Sequence, residues 1–138
     1  MTLTQLFNKK IFEVFAFVRD KYGFRFDTIN DYLIVARKGD MNLYFIFDKG
    51  ILFSVEIEVT GKLGELAIKN PKYRRLGAST MAECINDKYK LKVKHIRNEN
   101  DLLSEMEEEA RVLKEYCGNI LDGDVSDWER VVNCLLKS

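Results

Sequence analysis

Glu56 and Glu58 stand two residues apart in a run that alternates apolar and polar side chains. In an extended strand that spacing puts both carboxylates on one face, about 7 Å apart. Carboxylates so placed can share general acid–base work or hold a divalent cation. The plainer reading is a solvated or partner-facing strand, since surface strands often carry such pairs. His95 is the sole histidine, so a catalytic triad or a histidine-based metal site has a single candidate member. It sits among alternating lysines and reads as a half-buried strand residue. Cys84, Cys117 and Cys134 are widely scattered, with no C-x-x-C pair, which signals neither a disulfide framework nor a zinc site. Each falls on an apolar helical face, where cysteine behaves as a small hydrophobe. Gly61-Lys62-Leu63-Gly64 lacks the G-K-S/T ending of a phosphate loop and reads as a turn. The basic cluster Lys72-Tyr73-Arg74-Arg75, preceded by Lys69, has the chemistry to hold an anion, an RNA backbone or an acidic partner; solvation explains it more simply. These residues predict no catalytic group, no metal site and no cofactor, hence a protein that is not an enzyme.

The frame that must position these residues is one domain, residues 1–138. Apolar residues make up 46% and charged residues 32%, a balance that permits a buried core without staples. The formal net charge is zero, which argues against a nucleic-acid binder. The opening Met1-Thr2-Leu3-Thr4-Gln5 lacks the basic and apolar regions of a signal peptide, and no apolar run is long enough to span a membrane. With scattered cysteines, this predicts a cytoplasmic setting.

The element order reads as α+β. Thr2 and Gln5 have the spacing of a capping box, and Phe7, Ile11, Val14, Phe15, Val18 and Tyr22 recur at helical spacing. They predict a helix over residues 3–22, with Gly23 as its left-handed cap. Phe24–Phe26 forms a short lead-in. Then come three strands of an antiparallel meander, Tyr32–Arg37, Asn42–Asp48 and Ile51–Thr60. Leu63, Leu66 and Ile68 suggest another short strand. Thr80 and Glu83 predict a cap for a short helix over 81–87. Leu91, Val93 and His95, alternating with Lys90, Lys92 and Lys94, predict an edge strand. Two C-terminal helices follow. Leu103, Met106, Ala110, Leu113, Cys117 and Ile120 stripe the first, whose acids Glu105 and Glu107–Glu109 suit its dipole and whose Glu107 is spaced to pair with Arg111. Gly123 ends it. Ser126 and Glu129 cap the second, with Trp128, Val131, Val132, Leu135 and Leu136 on its apolar side.

Strand parity assigns the faces. The odd positions of 43–47 and 51–59 are apolar, so they form the core face if the connecting loop has an odd residue count. A loop of Asp48-Lys49-Gly50 would set Phe45 opposite Phe53. The same parity puts Leu33 and Val35 on the core face, around a turn containing Gly39. The even positions, Tyr44, Ile46, Glu56 and Glu58 among them, mix aromatic, aliphatic and acidic groups. Either helices cover that face or it binds a protein partner. The four residues named are the candidate partner-binding set.

The tract Leu113-Lys114-Glu115-Tyr116-Cys117-Gly118-Asn119-Ile120-Leu121-Asp122-Gly123-Asp124-Val125-Ser126-Asp127-Trp128 resembles the helix–Gly-Asp–helix tail of small bacterial proteins, including immunity proteins that neutralise polymorphic or contact-dependent toxins. The resemblance covers about a fifth of the chain. It implies a cytoplasmic, non-enzymatic protein that binds one cognate toxin and blocks its active site. Two alternatives stand beside it. One is a secretion-chaperone-like binding domain, which shares the order of helix, meander and later helices. The other is a small enzyme built on Glu56 and Glu58.

Overall fold

The computed structural model describes residues 1–67, 70–90, 92 and 94–137. It is an α+β fold: an N-terminal helical segment, a five-stranded antiparallel meander in the order β1-β2-β3-β4-β5, and C-terminal helices. The elements are α1 (Leu3–Val14), α2 (Ala16–Asp20), β1 (Arg25–Asn30), β2 (Leu33–Lys38), β3 (Met41–Asp48), β4 (Leu52–Val59), α3 (Gly61–Ala67), β5 (Arg75–Gly77), α4 (Ala78–Ile85), α5 (Glu99–Tyr116), α6 (Gly118–Leu121) and α7 (Ser126–Lys137).

The Thr2–Gln5 capping box forms, each side chain accepting from the other residue's N–H. The expected single helix is broken at Phe15, whose backbone leaves helical geometry. The break seats the Phe15 ring 4.7 Å from Phe45 in the core, and the predicted apolar face is otherwise kept, with Phe7, Ile11, Val18 and Tyr22 buried. Gly23 closes α2 at φ +79°, and Phe24 N–H returns to the Val18 carbonyl.

The sheet corrects two registers. Asp48 pairs with Leu52, so the loop is Lys49-Gly50-Ile51. Odd still faces odd, but Phe45 lies opposite Val55, and Phe47 meets Phe53. The left-handed positions needed for the reversal fall on Lys49 and Gly50, φ +54° and +69°, which places the turn one residue later and exposes Ile51. Around Gly39 the expectation fails. Lys38 pairs with Met41, leaving a two-residue Gly39-Asp40 turn, and an even count reverses the parity. Ile34 and Ala36 therefore join Phe45 and Leu43 on the core face; Leu33 and Val35 go to the other. β1 is a full strand, where only a lead-in was expected.

Gly61–Ala67 is helical, not a strand. Gly64 donates to the Thr60 carbonyl and lies so close to β4 that a Cβ there would stand 2.9 Å from the Val59 carbonyl oxygen. Leu66 points outward, 80% exposed, and Ile68 lies outside the described residues. The sheet edge beside β4 is held by β5, formed from the end of the basic cluster. Lys92 and Lys94–Arg97 are in no strand, and His95 is exposed; Leu91 and Val93, on which the expected strand also rested, lie outside the described residues. Helix α4 starts three residues earlier than Met81, with Gly77 as cap, so Thr80 is already inside it.

Helix α5 begins at Glu99, which moves Glu105–Glu109 from its first half to its middle. Arg111 pairs with Glu108 and Glu115, at 2.6 and 2.9 Å, rather than with Glu107. At the start of α7 the acceptor seen is the Asp124 carboxylate, bonded to the Ser126 N–H. Cys84 of α4 and Cys134 of α7 form a disulfide, contrary to the reading of the cysteines as unpaired; a sequence separation of 50 hides that pairing in the sequence. Among the described residues, no helix is long and apolar enough to cross a membrane.

Candidate partner-binding face

Helices α1, α4 and α5 contact β3 or β4, whose odd-numbered residues Leu43, Phe45, Phe47, Val55, Ile57 and Val59 are buried in the core, and α7 packs on α4. The even positions of both strands stay half-exposed along their length, apart from the fully exposed Asp48 at the turn. Helical cover of this face was the alternative to a binding role, and the half-exposure of these positions argues against full cover. Tyr44, Ile46, Glu56 and Glu58 do share one surface, with Tyr44 directly opposite Glu56.

Its polar end is organised by a residue that the sequence placed in a loop. β5 pairs Arg75 with Glu58, and the Arg75 guanidinium lies 3.7 Å from the centre of the Tyr44 ring. Its Nε donates to Glu56 Oε1 over 2.6 Å. The Tyr44 hydroxyl donates to Glu58 Oε1 over 2.6 Å, and Asn42 Nδ2 donates to the same oxygen over 3.0 Å. Partial burial pushes the Glu58 carboxyl up, but those two bonds and the charges of Arg75 and Arg37 outweigh it and hold it below the usual carboxylate range. Burial, then the bond to Glu58, raises the Tyr44 phenol. Both strand carboxylates thus already have donors from their own chain. Charge complementarity to a basic partner, the reason for singling them out, is largely consumed internally.

The other end is apolar. Leu33 lies opposite Ile46, and Ile46 opposite Ser54, with Leu52 beyond. Val35, 1% exposed, stands opposite Tyr44 and apart from the helix-side core. Sequence reasoning missed Leu33 and Val35 because the Gly39 turn was given the wrong parity. It missed Asn42, although Asn42 occupies an even position in the same alternation. For Arg75 no sequence signal distinguishes three residues of strand from the loop before them.

A second polar constellation lies on the helical layer. There Ser79, Tyr89, Lys92, Glu105 and Glu109 help line an open cleft of about 770 Å³. Glu109 is buried, its Oε1 accepts from the Ser79 hydroxyl over 2.8 Å, and its Oε2 has no partner. Burial, with the nearby Glu105 and Glu108 charges, drives its carboxyl up to about 7. The sequence hid this residue inside an acidic run that reads as solvated. Among the described residues no group of three or more His, Cys, Asp or Glu side chains is arranged to hold a metal ion.

No protein-family model, no curated protein and no solved structure shows significant similarity to the chain.

Proposed function

We propose that this chain is a non-enzymatic protein-binding domain of the immunity type, which docks a cognate toxin on the open face of its sheet. The observation that carries the reading is the Tyr44–Arg75 stack, held between Glu56 and Glu58 and set beside the half-exposed Leu33–Ile46 pair. Tyrosine and arginine dominate interface energetics because each combines large contact area with directed hydrogen bonding. Side chains fixed before binding lose less freedom when the partner arrives. The partner suited to such a face is a folded domain with an apolar anchor for the aliphatic end and hydrogen-bonding groups for the aromatic end. The α5–α7 tail supports the immunity class by its resemblance. That class acts in the cytoplasm, where Cys84 and Cys134 would be kept as thiols.

The test uses the products of the neighbouring genes, among which this reading expects a toxin domain. Co-expression should restore growth, and the purified proteins should associate. A Tyr44→Ala, Arg75→Glu variant that keeps its fold should lose both properties. If the folded variant protects as well as the parent, this face is not the interface. If no neighbouring product is bound or neutralised by the parent, the immunity reading fails.

A further inference from the structure

We propose that β1 is a self-complementary edge through which two copies of this chain pair, antiparallel and about a twofold axis, to form one continuous ten-stranded sheet. β1 is the outermost strand on its side of the meander, and all its residues except Phe26 are exposed. Among the described residues no strand lies beside its outward backbone N–H and C=O groups, which is the condition for strand addition. The usual devices against such pairing are weak here. The strand carries no proline and no lysine, and its bulge lies at its far end, between Thr28 and Asn30.

The charges select the occupant and the register. Arg25 lies directly opposite Arg37 of β2, a like-charge pair that costs stability where no acid intervenes. Asp27, on the same face, lies opposite the apolar Val35. Among the described residues no ion pair engages Arg25 or Asp27. A second β1 centred on Phe26 sets each Arg25 opposite the other copy's Asp27, twice by symmetry. Centring the axis on Arg25 or on Asp27 instead opposes like charges. Only the Phe26-centred register of these three gives attraction, and it also relieves the Arg25–Arg37 contact.

The helix side of the strand agrees. Phe26 points to that side, opposite Ala36, and stacks on Phe45 at 5.7 Å. Phe12 of α1, 36% exposed, lies edge-on to Phe26 at 5.4 Å. With the axis at Phe26, the two Phe26 rings meet directly and each Phe12 closes the pair from above. Apolar rings that a monomer leaves half-open are thereby covered, and a twofold interface reuses the same patch on both copies. The pairing lies at the opposite edge of the sheet from Arg75 and leaves the Tyr44–Arg75 stack accessible, so it is independent of the toxin-binding reading.

Sedimentation over a concentration series, on the full chain, tests it. The parent should sediment as a monomer–dimer equilibrium that weakens as salt is raised. Arg25→Asp alone, or Asp27→Arg alone, makes both symmetry-related contacts repulsive and should weaken dimerisation by about tenfold or more. The double exchange Arg25→Asp, Asp27→Arg restores opposite charges and should return the affinity to within about threefold of the parent. Circular dichroism confirms that each variant is folded, which these exposed positions favour. A parent that stays monomeric at millimolar concentration overturns the proposal. So does a dimer indifferent to both single reversals, which would place its interface elsewhere, including on the open sheet face. Single reversals that dissociate the dimer without rescue by the exchange would refute the register.

Discussion

The indole N–H of Trp128 donates to the backbone carbonyl of Tyr73 over 2.7 Å, across 55 residues of sequence. The ring itself is fully buried. One side chain thus ties α7 both to the core and to the short turn that delivers Arg75 to the sheet. Trp128→Ala should lower stability by roughly 3–5 kcal/mol. Trp128→Phe keeps much of the apolar burial but leaves the carbonyl without its donor, and should lose about 1–3 kcal/mol. Urea unfolding measures both. A Trp128→Phe variant as stable as the parent would mean that the hydrogen bond contributes nothing.

Glu109 makes stability depend on pH. Its folded carboxyl is raised by burial to about 7 from an ordinary 4.5. Between those values the unfolded chain has released a proton that the folded chain retains, so stability falls as pH rises through the window and levels off above it. The loss across the window is on the order of 3 kcal/mol for a carboxyl this buried. Glu109→Gln keeps an acceptor for Ser79 and cannot ionise. Subtracting its denaturation curve from the parent's at pH 5 and pH 8 should isolate the effect. A difference that does not change sign or size between the two pH values would show that Glu109 ionises normally.

The order of helix, meander and helices was legible because amphipathic periodicity is a local property. The Thr2 cap, the Gly23 stop and the buried stripe of Met106, Ala110, Leu113 and Cys117 all stand as the spacing implied. What escaped depended on counting or on distance. One residue more or less in the Gly39 turn decides whether Val35 lies on the helix side of the sheet or on the other, and glycine there fits either count. Tyr44 and Glu58 were found by alternation, but the residue that binds them into a unit arrives from a three-residue strand. Glu109 differs from its acidic neighbours only by what packs over it, which a list of glutamates does not reveal.

The Cys84–Cys134 disulfide closes a long loop between α4 and α7. Restricting that loop in the unfolded chain contributes about 4 kcal/mol. The oxidised protein should therefore melt well above the reduced protein or Cys134→Ser. Cys117 is buried and its thiol is pushed up to about 12 by burial, so it should stay silent to an aqueous thiol reagent while the fold is intact. Two reactive thiols should appear on reduction, and a third only on unfolding. Melting temperatures that ignore reductant would show that the two sulfurs are not bonded in solution.

The Tyr44–Arg75 unit should matter more to recognition than to folding. Arg75 and Glu56 are substantially exposed, 42% and 33% by side chain, so their ion pair contributes at most about 1 kcal/mol. The guanidinium over the Tyr44 ring adds about 0.5–1 kcal/mol at such a site. Variants here should remain folded. The Tyr44 hydroxyl, however, has a measurable electrostatic consequence. It donates to Glu58 and helps hold that carboxyl below its usual range against the opposing effect of burial. Tyr44→Phe removes the donor but keeps a ring for Arg75, so the Glu58 carboxyl should rise towards ordinary values, with Asn42 and the arginine charges still restraining it. Carbon-detected NMR titration of the Glu58 side chain reads this directly. Arg75→Gln should raise it too, by removing a charge, and should also free the Tyr44 ring to reorient. A Glu58 titration unchanged in Tyr44→Phe would mean that the hydroxyl bond is not formed in solution. The side chains would then reach a partner unfixed, and the entropic advantage assigned to this face would be lost.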